Sequence, residues 1–448
     1  MTLRTENPPV QGSPTRPSAA LLILLSLIFL GSSSSMAGTI LTYTTEPSIR
    51  VCLAENSTSL SLTINGSYKL RYQKVDIAAL THGSISLYFS AEGTPVASMP
   101  DRLIKFYSPL ELDPADSSSL VAASGDPDGV TLDGQTYPGS IEIVPEDNGS
   151  FRIINRLPLE TYLRGVVPNE LINNLRPDEL QACMAQAIAA RNYAFFRMSG
   201  SDAFAAGPES KGFDVYSDTR DQVYSGIQGY KPLADSAVEL TAGMIVEYDG
   251  QPARCFFCST CGGHTAAVQN VWQGQAAVPY LQGVSDIDSA TGEPFCIYNP
   301  NFYWTTSFSG RQVTNFVKRN LAMASPNYTG TIVTGSVAAL KIIDRFPSHR
   351  VDSLEIKMDN GQTYYVRGDR TRYLFRERNG TILKSSLFKI RTLHNFRGAL
   401  AKVIITGKGN GHGVGMCQWG ALGMSRLGYS YKQILEHYYP GTEIEKVY

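Results

Sequence analysis

Leu157-Pro158-Leu159-Glu160-Thr161-Tyr162-Leu163-Arg164-Gly165-Val166-Val167-Pro168-Asn169-Glu170 is a largely apolar run that ends in a carboxylate. Apolar surroundings raise a carboxyl pKa because desolvation disfavours the charged form, and a carboxylic acid kept neutral near pH 7 can serve as a general acid. Glu170 is therefore the candidate acid; the competing reading is a glutamate that starts a helix. Upstream, Ile141-Glu142-Ile143-Val144 and Phe151-Arg152-Ile153-Ile154 read as strands. Downstream, Arg176-Pro177-Asp178-Glu179 opens a helix, with proline suited to the first turn and acidic residues favoured there by the helix dipole. Leu180, Met184, Ala187, Ile188 and Arg191 follow at helical spacing, predicting one inward stripe that ends in an arginine. The run thus sits where strand composition gives way to helix.

Farther out, Leu60-Ser61-Leu62-Thr63-Ile64 alternates and is followed by Asn65-Gly66, which predicts a hairpin turn. Residues 113 to 129 are rich in Asp, Ser, Pro and Gly and read as a linker or surface loop. Beyond the first helix the chain is mainly strands and loops to about residue 415, and then turns helical again from Gln418 to Leu427. Ser430-Tyr431-Lys432-Gln433 is a capping-box signal for a further helix. The expected organisation is a signal peptide over 1–37, a β-rich unit over 48–112, a linker over 113–135 and a core over 136–448.

The 448 residues carry 39 Lys and Arg against 40 Asp and Glu, a net charge of -1 that argues against a nucleic-acid partner. A polar start with Arg4 and Arg16, an apolar run from Ala19 to Leu30 and the small-x-small set Ser35-Met36-Ala37 predict an export signal cut after Ala37. An uncleaved anchor is the alternative, but the run falls short of the roughly 20 residues a bilayer core needs. No later segment reads as a membrane span. All seven cysteines (52, 183, 255, 258, 261, 296 and 417) lie beyond that cut, in a chain expected to enter an oxidising space, and the odd count leaves at least one thiol unpaired.

Three constellations carry possible chemistry. Gly407, Gly409, Gly411, Gly413 and Gly415 alternate with Lys408, Asn410, His412 and Val414. If extended, this run has one bare face and one presenting Asn410 and His412, which suits either a ligand or tight sheet packing. It matches no nucleotide loop. Cys255-x-x-Cys258-x-x-Cys261-x-x-His264 has zinc-ligand chemistry, but four candidates within ten residues are unusual for structural zinc, and disulfide or inert roles compete. A Ser or Cys hydrolase using His264 or His412 is the third, and no G-x-S-x-G supplies a nucleophile elbow.

Taken together, the segments resemble the stage II sporulation protein D family, which includes the amidase enhancers. The matching residues are Leu157 to Glu170, Gln186 to Ala194, Gln222-Val223-Tyr224, Ser259 to Thr265, Gly411 to Ala421 and His437 to Gly441, in the family's order. The resemblance implies an exported lytic transglycosylase that cuts peptidoglycan glycan strands already stripped of stem peptides, with an N-acetylmuramoyl-L-alanine amidase as partner. The catalytic acid falls on Glu170. Arg191, Tyr193, His412, Gln418, Asn410, Gly411 and Gly413 are implied in binding the sugars. A glycan-binding or amidase-enhancing protein without catalysis is the alternative. Some members hold zinc through Cys and His in the loop before Q-V-Y; here Gly212 to Gln222 contains neither, so no metal and no cofactor are expected. Relatives with C-G-G and a later Cys imply a Cys261 to Cys296 disulfide. The fold expected is α+β, a mixed-sheet core around a long groove with a small N-terminal β unit and helices near 177–197 and 418–438.

Overall fold

The computed structural model describes residues 44–116, 128–172, 174–199, 212–325, 328, 330 and 332–448. The expected signal peptide and residues 117–127 of the expected linker lie outside them. Alternating apolar residues produce β1 (Ser48–Ser57), β2 (Ser59–Tyr72), β3 (Val75–Phe89), β4 (Pro95–Met99), β5 (Arg102–Lys105), β6 (Leu110–Pro114), β7 (Gly129–Leu132), β8 (Gln135–Tyr137), β9 (Ser140–Glu146) and β10 (Ser150–Pro158). Their order in one large sheet is β1-β10-β9-β6-β2-β3-β4-β5, with β7 and β8 branching from β2 and the short β11 (Val215–Tyr216) parallel to β1. The β-rich unit and the strands leading to Glu170 therefore share one sheet, and the stretch expected as a linker begins and ends in strands of it.

Asn65-Gly66 is not a hairpin turn. It forms a bulge inside β2, where pairing with β3 shifts between Ile64 and Ser67, Gly66 takes φ +97° and its N–H donates to His82 Nδ1 at 3.3 Å. The hairpin closes later, at Gln73-Lys74, both with positive φ. Asn-Gly supplies the left-handed backbone that a bulge also needs, so the dipeptide alone does not distinguish the two.

β10 runs directly into α1 (Leu159–Glu170), with Pro158 at the N-cap position. Leu159, Tyr162, Leu163, Val166 and Val167 recur at helical spacing and are buried against Ile49, Val51 and Leu157 of the sheet core. After a 3₁₀ turn at Pro177–Glu179, α2 (Leu180–Met198) runs through the protein interior. It is buried on nearly every side rather than along one stripe: Ala187, Ala190 and Ala194 meet the sheet core, while Ala182, Ala185, Ile188 and Ala189 meet a second core. Its many alanines let neighbours close in all round.

That second core is built from α4 (Val268–Val271) at its edge, loops between 253 and 302, and the closing helices, together with strands Met244–Tyr248 and Glu443–Lys446, whereas α3 (Pro232–Leu240) packs on the sheet core through Ala234 and Val238. A third core combines α5 (Gly310–Ala324) and α6 (Thr371–Leu374) with two three-stranded sheets, Tyr303–Ser309 with Phe388–His394 and Leu400–Lys408, and Val337–Arg345 with Val351–Met358 and Thr363–Arg367. The chain closes with α7 (Gln418–Arg426) and α8 (Tyr431–Tyr438), and the Ser430–Gln433 capping box is formed as its sequence predicts. The fold is α+β. No helix among the described residues is long and apolar enough to cross a membrane.

Candidate functional site

Glu170 is the last residue of α1 and is half-buried. Its Oε1 accepts from the backbone N–H of Val223 at 3.4 Å, and its Oε2 accepts from Gln418 Nε2 at 3.2 Å. Burial raises its pKa, with the Gln418 and Val223 donors pulling the other way. The carboxyl is thus positioned by two separate segments while its environment favours the protonated form. Gln418, the first residue of α7, is placed by the parallel pairing of Met416-Cys417 with Phe257-Cys258. The Val223 donor is a backbone group, so no side-chain pattern announces it. It is held by its neighbours: Tyr162 hydroxyl donates to Gln222 Oε1 at 3.2 Å, and Tyr224 hydroxyl donates to Asn155 Oδ1 at 3.1 Å.

Arg191 reaches from α2 to α1. It is fully buried and grips Glu160 through two bonds, Nε to Oε1 at 2.8 Å and Nη2 to Oε2 at 2.6 Å, with Nη1 donating to the carbonyl of Met244 at 2.8 Å. Gly243 N–H at 3.1 Å and the Tyr448 hydroxyl also donate to Glu160. The resemblance implies a sugar contact for Arg191; in the fold its guanidinium is turned inward, as the end of the inward stripe, and it braces α1 against α2. Tyr193 is half-buried and donates to Asp221 Oδ1 at 2.7 Å, beside the Arg197–Asp221 ion pair at 3.0 Å.

The glycine run is a folded loop rather than an extended strand, since Gly409, Gly411, Gly413 and Gly415 all have positive φ. Asn410 exchanges backbone bonds with Thr260 at 2.9 and 2.8 Å, Gly411 donates to Lys384 O at 2.8 Å, and Ala266 donates to Gly413 O at 2.7 Å. Where a side chain on Gly413 would stand, the guanidinium of the buried Arg350 is already present. Close backbone packing thus explains Gly413, and the bare face is used by the protein itself. His412 is half-buried beside Trp272, ring centroids 5.0 Å apart, and its Nδ1 accepts from Val414 N–H at 3.1 Å. Burial, aided by Arg372 and Arg350, pushes its pKa down to about 3, so it is neutral in the physiological range.

Gly262, Gly263 and His264 border a cavity of about 720 Å³ whose other walls include Tyr303, Arg345, Lys389 and Lys408 and, among the described residues, no carboxylate. Among the described residues one set of three or more Cys, His, Asp or Glu ligand atoms lies close together, and it joins Cys261 with Asp286, Cys296 and Cys417. Cys255, Cys258 and His264 are not in it, so the tightly spaced motif does not assemble as a unit. Cys261 and Cys296, the pair implied by the resemblance, are neighbours with sulfurs 3.7 Å apart.

A family model described as SpoIID, stage II sporulation protein, matches residues 147–248, and a domain of unknown function, DUF8618, matches residues 297–415. The chain is 31% identical over 402 residues to an uncharacterized protein of Brachyspira hyodysenteriae, covering 88% of this chain and 92% of that one. It is 28% identical over 321 residues to the stage II sporulation protein D of Bacillus subtilis, covering 70% of this chain and 81% of that one. The amidase enhancer of Bacillus subtilis is 28% identical over 348 residues, covering 70% of this chain and 45% of the relative.

Proposed function

Because the chain belongs to the stage II sporulation protein D family, we propose that it is an exported lytic transglycosylase acting on peptide-stripped peptidoglycan glycan strands. The observation that carries this reading is the Glu170 carboxyl, biased towards its protonated form by burial and held between Val223 N–H and Gln418. The bond cut is the β-1,4 link from N-acetylmuramic acid to N-acetylglucosamine. Protonated Glu170 donates to the leaving oxygen as the oxocarbenium-like state forms, and the carboxylate then accepts the proton of the muramic C6 hydroxyl as that oxygen closes on C1. The product ends in 1,6-anhydro-N-acetylmuramic acid. One carboxyl suffices because the nucleophile belongs to the substrate and no water needs activating. Gln418 serves as a positioning residue through its bond to Glu170. Tyr193, His412, Asn410 and Gly411 are proposed to border the glycan, with His412 acting as a neutral donor.

The test is mass spectrometry of products from intact and amidase-stripped peptidoglycan, with wild type and Glu170→Gln. Anhydro-ended fragments from stripped strands only, absent with the variant, are the expected result. A second reading, a denuded-glycan binder that assists an amidase, is favoured by the likeness to a protein named amidase enhancer. Binding to stripped glycan without cleavage by the wild type selects it.

A further inference from the structure

We propose that Cys261, Cys296, Cys417 and Asp286 form a structural zinc site that ties the loop after residue 260 to the start of α7. This departs from the sequence-based expectation of no metal. It rests on a constellation drawn from three segments: the turn at Cys261, the loop carrying Asp286 and Cys296, and the start of α7 at Cys417. The four ligand atoms all lie within 4.8 Å of one another, and all four residues are buried. A tetrahedral zinc with Zn–S bonds of about 2.3 Å sets neighbouring sulfurs about 3.8 Å apart. Cys261 Sγ and Cys296 Sγ stand 3.7 Å apart, and Asp286 Oδ2 is 3.0 Å from Cys261 Sγ.

Backbone donors aim at two of the sulfurs. Cys261 N–H and Gly420 N–H point at Cys417 Sγ from 3.2 and 3.3 Å, and Gly263 N–H points at Cys261 Sγ from 3.3 Å. Sulfurs that accept backbone N–H groups are stabilised as anions. Asp286 is oriented from behind: the Tyr438 hydroxyl donates to its Oδ1 at 2.6 Å, leaving Oδ2 towards the cysteines. Such outer hydrogen bonds fix ligand geometry in metal sites. The fully buried Arg350 donates Nη2 to the carbonyl of Cys261 at 2.8 Å, and among the described residues no carboxylate pairs with it. Three thiolates, one carboxylate and a divalent ion leave a centre of charge -2, which that guanidinium offsets in part.

A Cys261–Cys296 disulfide would use two of the four groups and leave Cys417 and Asp286 without a shared partner. A divalent ion uses all four. The soft sulfur majority selects zinc over magnesium or calcium, and four protein ligands make a closed site, structural in kind. Because Cys417 immediately precedes Gln418, the ion would also fix the residue that holds Glu170. Binding displaces the thiol protons, so affinity falls as pH falls.

The experiment uses the full chain, purified with zinc(II) or cobalt(II) and without chelator. Elemental analysis should find one zinc per chain. Alkylation should spare Cys261, Cys296 and Cys417 until a strong chelator is added, and the cobalt form should show the visible and near-ultraviolet bands of tetrahedral thiolate coordination. Cys296→Ala and Asp286→Asn should lower metal content, while Cys183→Ala should not. If those variants fail to fold, the wild-type cobalt spectrum and the alkylation pattern still decide. The proposal is overturned by a chain lighter by two hydrogens with Cys261 and Cys296 cross-linked, by thiols that alkylate freely with zinc present, or by metal retained in the Cys296→Ala, Cys417→Ala double variant.

Discussion

Replacing Arg191 by methionine separates a brace from a sugar contact. The side chain is fully buried, makes two bonds to Glu160 and one to the Met244 carbonyl, and has no surface left to offer a ligand. Removing one partner of a buried ion pair costs about 3–5 kcal/mol, because the other charge is left behind. Here the orphaned Glu160 keeps the Gly243 N–H and Tyr448 hydroxyl donors and 15% of its side-chain surface in water, which places the cost at the lower end, about 3 kcal/mol. Losing the donor to Met244 adds about 1 kcal/mol. Urea unfolding followed by tryptophan fluorescence should show a clearly lower midpoint for Arg191→Met, a smaller loss for Arg191→Lys, which keeps the charge but not the fork, and substantial recovery in Arg191→Met combined with Glu160→Met. Binding of stripped glycan by the protein that remains folded should be unchanged. An Arg191→Met protein of wild-type stability with weakened glycan binding would refute the reasoning.

Gln418→Leu removes a donor that opposes the effect of burial on Glu170, so the alkaline limb of kcat/KM should move to higher pH; a limb that moves down, or stays, contradicts the assigned contact. With His412 held at about 3 against an ordinary 6.5, the unfolded chain takes up a proton that the folded one refuses, and stability should be lost as pH falls from about 6.5 towards 3. His412→Gln should flatten that acid limb of the unfolding midpoint, and an NMR titration showing His412 protonating near 6.5 would contradict it. Gly413→Ala should cost about 2–4 kcal/mol, combining a left-handed alanine with a collision against Arg350, measured as a fall in the same midpoint.

What could be read from the chain itself followed local rules. The closing helices, the Ser430 cap and the strands around Ile141 and Phe151 were legible because period and end signals are properties of a few adjacent residues. Glu170 stood out because a carboxylate ends an apolar run. Helical spacing places Arg191 on the inward stripe, where it is found, but a polar residue in a motif looks the same from its neighbours whether it faces a ligand or a buried Glu160. The glycines announced close approach without saying to what, and the partner proved to be the protein's own residues 256–266 and Arg350. Cys255, Cys258, Cys261 and His264 invited grouping because they are adjacent in the chain. The fold keeps only Cys261 from that set and recruits Asp286, Cys296 and Cys417, a choice set by tertiary packing.

Gln418 meets Glu170 across 248 positions, and strand Met244–Tyr248, paired on one side with the nearby Gln251-Pro252, takes its other neighbour from Glu443–Lys446. Closures of this length come late, because the loop entropy must be overcome before any contact rewards it. A nascent chain released up to about residue 410 therefore still lacks the donor that seats Glu170, the strand that flanks Met244, and the Tyr448 hydroxyl on Glu160. The catalytic candidate is assembled last by its own topology. A polypeptide threaded segment by segment through a narrow conduit would arrive with Glu170 unseated and gain its Gln418 partner only once its final stretch had emerged.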